Sequence, residues 1–363
     1  MRRLVAAAGD VVVAVALALA AAAGWFALTW FPQGLVALVG SGGLAARLWA
    51  RPLQRRRLAL GLKLAAAALG VLGLGVVGSE IVLHAGRSEA RLESRYLHSS
   101  GVGALLRVAN VIPEGDLTSL GVRASGLLGI WPPEQMREVH GLLAREYRAM
   151  RADPAFAHAG NVAMSGFYET GNRHFFRYLP RGYPGGRTWP VLLFLHGAAG
   201  NLALYPWLWS RFADERGLIV VCPTWDNGEW WRPGGAQVAL DALDDTLGSC
   251  SVDEGRVFLA GYSSGAIGGW AVLAARPNAF RGFVSIAGAR LSRLDDARIP
   301  HVPVLLLHGA KDRVIPPAES RRLRERLPGS AELVEFPGED HFIIIRSMGK
   351  LEEAIGKWMD ATR

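Results

Sequence analysis

The chain has 363 residues, half of them hydrophobic, with 40 lysines and arginines against 32 acids. That length admits one domain of catalytic size and something smaller. Residues 1–79 hold eight bases and a single acid, Asp10, so the remainder is close to neutral; the formal charge of +8 therefore excludes the spread basic surface of a nucleic-acid-binding protein and points to positive residues flanking apolar segments.

The run Val11 to Phe31 is uncharged, and as a helix it would rise ~31 Å, enough to cross a hydrocarbon core. Trp25, Trp30 and Phe31 stand toward its end, where aromatic side chains favour the membrane interface. Leu58 to Leu83 is a second such run, with Lys63 near one end able to snorkel. Gln33 to Ala50 is apolar but glycine-rich and carries Arg47, and is a candidate third span. Residues 1–84 thus read as a membrane anchor of two or three transmembrane helices, near 11–31, 33–50 and 58–83, with the lipid bilayer as partner. Arg2 and Arg3 precede the first run, and Arg51, Arg55, Arg56 and Arg57 the last. Both clusters favour the cytoplasm, so everything after Leu83 is expected on the extracytoplasmic side. A cleaved signal peptide ending near residue 24 is the competing reading, but the apolar run continues past it.

Residues 85–160 read as a connecting region that opens polar and basic ("GRSEARLESR"). It contains one amphipathic helix, with Pro133 suited to a first turn and Met136, Val139, Leu143, Tyr147 and Met150 at helical spacing.

From residue 161 to 363 short apolar strands alternate with helices. "HFFRYLP", "WPVLLFLHG", "GLIVVCP", "RVFLAGY", "GFVSIAG", "VPVLLLHG" and "AELVEFPG" read as strands. Helices are expected over Ala203–Arg216, Ala236–Gly248, after Ser264, over "PAESRRLRERL" and at the C-terminus to Met359. This pattern predicts an α/β fold with a mainly parallel sheet covered on both faces, whose chemistry gathers at the carboxyl ends of the strands. Cys222 and Cys250 fall at opposite edges of such a sheet, so two free thiols are expected.

Ser263 lies in Gly261-Tyr262-Ser263-Ser264-Gly265, a G-x-S-x-G pattern between a strand and a helix. Flanking glycines suit a turn too tight for a Cβ, which leaves the serine exposed at a helix tip. A serine hydroxyl needs a base, and the base an orienting acid. Asp312 follows the strand end "LLLHG", and His341 follows "VEFPG", in the chain order Ser, Asp, His. Glu339 and Asp340 are possible substitutes for the acid, and His308 reads as a support for the Asp312 loop. The oxyanion of a tetrahedral intermediate needs donors, expected from the backbone N–H groups of Ala198 and Ser264, with His196 stabilising the loop "HGAAGN".

The marks "HGAAGN", "GYSSG", "HGAKDRVIP" and "EDHF" resemble those of the α/β-hydrolase superfamily over about Gly166 to Arg363. Within it the chain looks most like the compact carboxylesterases, dienelactone hydrolases and polyhydroxyalkanoate depolymerase-like esterases, with some likeness to the prolyl-oligopeptidase catalytic domain. The resemblance implies about eight strands, Ser263 as nucleophile, His341 as base and Asp312 as acid. The segment "GARLSRLDDARIP" is too short for a helical lid, so an open site is expected, and no propeller precedes residue 160. Trp207, Trp225, Trp230 and Trp231 are candidate walls of an apolar substrate pocket, and Arg232 could meet a substrate carboxylate or pair with Asp226 or Glu229. The expected protein is a membrane-anchored serine esterase acting on small-molecule esters. The alternatives are a peptidase on short peptides and a catalytically silent binding protein. No metal-ligand cluster or phosphate-binding loop appears in the sequence, so no metal or cofactor is expected.

Overall fold

The computed structural model describes residues 2–27, 29, 31–50, 56–85, 91–97, 113–156, 173–198, 200–289, 302–327 and 329–362. The arginine loop at 51–55 and most of the segment read as too short for a lid (290–300) lie outside them. Two compact units form, one from Met1–Arg87 with Val111–Ala144, the other from Ser88–Asn110 with Arg145–Arg363.

The first unit is helical. It contains α1 (Arg2–Phe26), α2 (Phe31–Ala50), α3 (Arg56–Ala85), α4 (Glu114–Leu127) and the start of α5 (Pro133–Ala152). Small residues let α1, α2 and α3 approach closely: a Cβ on Gly9 would stand 2.8 Å from the Gly43 carbonyl oxygen, and one on Gly73 2.6 Å from that of Gly34. Asp10 and Arg47 meet across α1 and α2 at 2.9 Å. The turn between these helices is tied to α4, because Asp116 accepts the Thr29 backbone N–H at 3.0 Å and its hydroxyl at 2.5 Å.

The transmembrane expectation is corrected here. Among the described residues no helix is long and apolar enough to cross a membrane. The uncharged run read as one span, 11–31, is divided: α1 ends at Phe26 and α2 begins at Phe31. The uncharged part of α1 rises only ~24 Å, short of a hydrocarbon core, and α2 carries Arg47 in its last turn.

The second unit is built on an eight-stranded sheet, β1 (Leu92–Tyr96), β2 (His174–Tyr178), β3 (Trp189–Leu195), β4 (Ile219–Pro223), β5 (Val252–Tyr262), β6 (Gly282–Ile286), β7 (Val304–Gly309) and β8 (Ala331–Phe336), in the order β1-β2-β4-β3-β5-β6-β7-β8. β2 runs antiparallel to β1 and β4, and the other pairings are parallel. Helices α6 (Leu204–Arg216), α7 (Gly235–Ser249), α8 (Ser264–Ala275), α9 (Ala318–Arg326) and α10 (Met348–Ala361) join or follow the strands. The connecting region expected at 85–160 is therefore not an element of its own. Leu92–Tyr96 supplies the edge strand, and Arg145 onward belongs with the sheet.

Strands β3 and β4 are buried along their whole length, as a parallel strand covered on both faces must be. Leu193, Val221, Leu259 and Phe283 pack with Trp270 and Leu273 of α8 and Ala239 and Leu243 of α7 in one core. Each such side chain contributes about 1.5–3 kcal/mol by leaving water. Cys222 and Cys250 are both free thiols, as expected. Parallel register sets the strand ends level: Leu195 pairs Gly261, Tyr262 pairs Ile286, Ile286 pairs Leu307, and Gly309 pairs Phe336. Chain leaving these ends turns within one edge of the sheet.

Candidate active site

At that edge Ser263 links β5 to α8 with φ 54° and ψ −118°. This backbone is costly for a residue with a side chain, at about 1–3 kcal/mol, and persists only where packing holds it. The glycines of the pattern have a steric reason. A Cβ on Gly261 would come within 2.4 Å of the Gly265 carbonyl oxygen, and one on Gly265 within 2.1 Å of that of Leu195. The Ser263 N–H donates to the Ile286 carbonyl at 2.9 Å, so the elbow is fastened to the neighbouring strand.

The structure brings Ser263, His341 and Asp312 together. Ser263 Oγ lies 3.0 Å from His341 Nε2, and His341 Nδ1 lies 2.8 Å from Asp312 Oδ2. A carboxylate only accepts, so Nδ1–H donates to Asp312 and Nε2 is left to take the serine proton. All three residues are buried. The loops that carry acid and base lie backbone to backbone: Lys311 N–H donates to the Glu339 carbonyl at 2.9 Å, and Ala310 N–H to that of Phe336 at 3.0 Å. Asp312 Oδ1 accepts the amides of Val314 and Ile315 at 2.8 and 3.0 Å. Burial opposes ionisation of this carboxyl, but hydrogen bonds from His308 and His341, the imidazole charge and the Ile315 amide outweigh it. They hold Asp312 below the usual carboxylate range.

His308 supports the acid loop, as expected. Its Nε2–H donates to the Ile315 carbonyl at 2.8 Å and stands 3.3 Å from Asp312, while Nδ1 bonds the Ser320 hydroxyl at 2.7 Å. Glu339 is engaged elsewhere, by Ser347 at 2.7 Å and Lys350 at 2.6 Å. Asp340 caps the Phe342 amide at 3.0 Å.

Ala198 lies in the turn after β3, and Ser264 opens α8. The Ser264 N–H therefore belongs to the first helical turn, whose donors have no partner within the helix. His196 holds the loop before Ala198. It is fully buried, its Nδ1–H donates to the Gly197 carbonyl at 2.7 Å, and its Nε2 accepts the Trp225 backbone N–H at 3.2 Å. Burial pushes this imidazole down to about 4, against the Gly197 bond that raises it.

The four tryptophans do not form one wall. Trp230 is fully buried, and its indole N–H donates to the His196 carbonyl at 3.0 Å, so it braces the loop from behind. An indole inside a core needs such a partner, and this carbonyl supplies it. Trp225 is partly buried and closes on its own loop, donating to the Glu229 carbonyl at 2.9 Å. Trp207 meets Phe156 edge-on at 5.1 Å and donates to Glu146 at 3.2 Å. Trp231 is the one of the four that is exposed. Arg232 pairs with Glu229 at 2.7 Å.

Two residues that matter here escaped the sequence reading. The Tyr262 hydroxyl donates to the His341 carbonyl at 2.9 Å and so ties the base to the elbow. Gly228, at φ +80°, brings the Trp225–Trp231 loop over the oxyanion loop: a Cβ there would stand 2.6 Å from the Gly197 carbonyl oxygen and 2.8 Å from Ser264 Oγ. Tyr262 occupies a free position of the pattern, and Gly228 is one glycine among 44. Only the serine-flanking position of the tyrosine offered any signal. Among the described residues no group of His, Cys, Asp and Glu is arranged to hold a metal ion.

A phospholipase/carboxylesterase family model matches residues 238–359, which include Ser263, Asp312 and His341. A probable feruloyl esterase C from Aspergillus terreus is 26% identical over 161 residues, 42% of this chain and 59% of that protein. Poly(3-hydroxyalkanoate) depolymerase C from Paucimonas lemoignei is 29% identical over 133 residues, 32% of each chain. The chain therefore spans less than two thirds of the length of these curated relatives. The solved structure of Est1E from Butyrivibrio proteoclasticus aligns at 14% identity and a TM-score of 0.44, over 52% of this chain and 94% of that one. In sheet order, in its serine elbow and in the family match over residues 238–359, the chain resembles the α/β-hydrolase superfamily and, within it, the serine carboxylesterases.

Proposed function

We propose that the protein is a serine esterase that works through an acyl-enzyme. The observation that carries this reading is the unbroken relay from Ser263 through His341 to Asp312, at 3.0 and 2.8 Å, on a strained elbow. In the proposed cycle Ser263 Oγ attacks the ester carbonyl carbon while its proton passes to His341 Nε2. Asp312 steadies the imidazolium that forms. The carbonyl oxygen gains negative charge against the N–H groups of Ala198 and Ser264. Collapse breaks the ester C–O bond, and the departing alcohol takes the proton from His341. Water, deprotonated by the same imidazole, then releases the acid and restores Ser263.

The relatives named for feruloyl and poly(3-hydroxyalkanoate) esters make aryl-acyl and short hydroxyacyl esters the first substrates to test. A fluorophosphonate probe should label the full chain and fail to label Ser263→Ala. Equal labelling of both proteins would refute Ser263 as nucleophile. Hydrolysis of p-nitrophenyl and feruloyl esters without cleavage of matched peptide amides is the expected outcome. Amide cleavage at comparable rates would favour a peptidase, and labelling without turnover a binding role.

The helical unit is proposed to rest against a lipid surface on the extracytoplasmic side, through exposed apolar side chains and without a helix that crosses it. Supporting this are Leu17, Leu60, Leu64, Val71, Leu72 and Leu74, all more than half exposed on α1 and α3, and the near-absence of acids before residue 79. Exposed apolar surface on this scale is unfavourable in water and ordinary in lipid. Flotation of the full chain with vesicles is the expected result, and recovery in the aqueous fraction would overturn it.

A further inference from the structure

The helical hairpin α4–α5 ends in a tip that water does not suit. Leu127, Leu128 and Ile130 are 77%, 73% and 64% exposed, three large apolar side chains within four residues. The tip is ordered rather than trailing. Leu128 N–H donates to the Ala124 carbonyl at 2.9 Å, Ile130 N–H to that of Ser125 at 2.9 Å, and Gly129 takes φ +68°. Outside α1–α3, the other exposed large apolar residues among the described ones, Leu120, Trp231 and Val314, are only 38–39% exposed and stand singly.

Beside the tip is a groove of about 300 Å³ between the two helices. Arg123, Gly126 and Leu127 line it from α4, and Pro133, Met136, Arg137 and His140 from α5, each set at one-turn spacing along its helix. The lining thus combines apolar Leu127 and Met136 with the two arginines Arg123 and Arg137. Burial and the charge of Arg123 lower the His140 imidazole, which sits 2.8 Å from the Ser119 hydroxyl. Arg137 has only a loose contact with Glu134 at 3.9 Å, on the exposed surface.

We infer that this groove takes the headgroup of an acidic phospholipid while the Leu127–Ile130 tip enters the bilayer surface. Two guanidinium groups complement a phosphodiester, and the apolar lining residues complement the methylenes next to it. The α4 end opposite the tip is held in place, because Asp116 fastens it to the Thr29 turn between α1 and α2. Moving three apolar side chains out of water into the interface is favourable. The tip supplies depth and the arginines supply selectivity for acidic lipid.

The inference rests on the membrane reading, and the test separates the two. The full chain carrying Leu128→Cys and Cys250→Ser, with Cys222 buried, is labelled at residue 128 with an environment-sensitive fluorophore. It is reconstituted in phosphatidylcholine vesicles with or without phosphatidylglycerol. The expected result is a blue-shifted emission, quenched by brominated lipid, that strengthens at least threefold with phosphatidylglycerol and loses that gain in Arg123→Gln/Arg137→Gln. Protein that floats with vesicles while the label stays in water overturns the inference and leaves the anchor standing. Shielding of the label without any lipid, by another part of the chain or a second copy, also overturns it. Equal shielding in both vesicle types removes the headgroup site. Protein that does not float ends both readings.

Discussion

Ser263 is the residue on which local chemistry and backbone geometry meet. Its φ of 54° is possible because Gly261 and Gly265 leave room for backbone to pass within van der Waals distance, and because Ile286 fastens its amide. The relay residues were legible in sequence since each falls just past a strand end, and parallel register makes those ends level. Tyr262 was not legible as a positioning residue, since nothing in a local pattern says which carbonyl a hydroxyl will reach 79 residues away. Tyr262→Phe should therefore keep the fold but loosen His341, lowering kcat about fivefold for the loss of about 1 kcal/mol; an unchanged kcat in steady-state assays would remove the tyrosine from the machinery. Asp312→Asn should cut kcat by about 10³–10⁴-fold with little change in KM, because the imidazole loses the acceptor that fixes its tautomer. Gly228→Ala meets both a positive φ and a carbonyl 2.6 Å away. It should cost at least about 2 kcal/mol of stability or displace the Trp225–Trp231 loop, read as a lower melting temperature together with reduced kcat/KM.

At the scale of elements, the loop after β3 is held by an imidazole that the fold keeps neutral. Buried His196 takes a proton only near pH 4, whereas in an unfolded chain it does so near 6.5. Between those values the unfolded state binds more protons, so stability rises with pH. The contribution is complete above pH 6.5 and falls away as pH drops toward 4, by about 3 kcal/mol in all. His196→Gln should shrink the stability gap to wild type over that window in urea denaturation series, and parallel curves for the two proteins would contradict this account. Seven strands were legible from short apolar runs. The eighth, β1, was missed because an edge strand paired on one side can be polar, and "LESRY" reads as solvated loop until β2 is beside it. Trp230 was misread for a related reason: a glycine-containing polar loop in sequence turns out to carry its indole into the core, where the His196 carbonyl receives its N–H.

For the whole molecule, a helical unit and a unit built on the eight-stranded sheet share one chain. In the helical unit the Asp10–Arg47 pair joins α1 to α2 at 2.9 Å. Asp10→Asn removes this partner from Arg47 and should destabilise the unit by about 0.5–1 kcal/mol, as both side chains are partly exposed, while Asp10→Asn with Arg47→Gln recovers most of it. Thermal unfolding in detergent micelles reads this, and additive losses would show the two residues to be uncoupled. Sequence alone determined the alternation of strands and helices, the apolar character of the first 84 residues, and the placing of Ser263, Asp312 and His341 just past strand ends. These follow from periodicity and from side-chain chemistry placed at strand ends, both of which are local. Tertiary structure decided where the first apolar run breaks, which segment closes the sheet edge, which tryptophans brace rather than line, and which hydroxyl steadies the base. Each of those depends on partners far away along the chain, so their free energies exist only once the sheet and the helices have met.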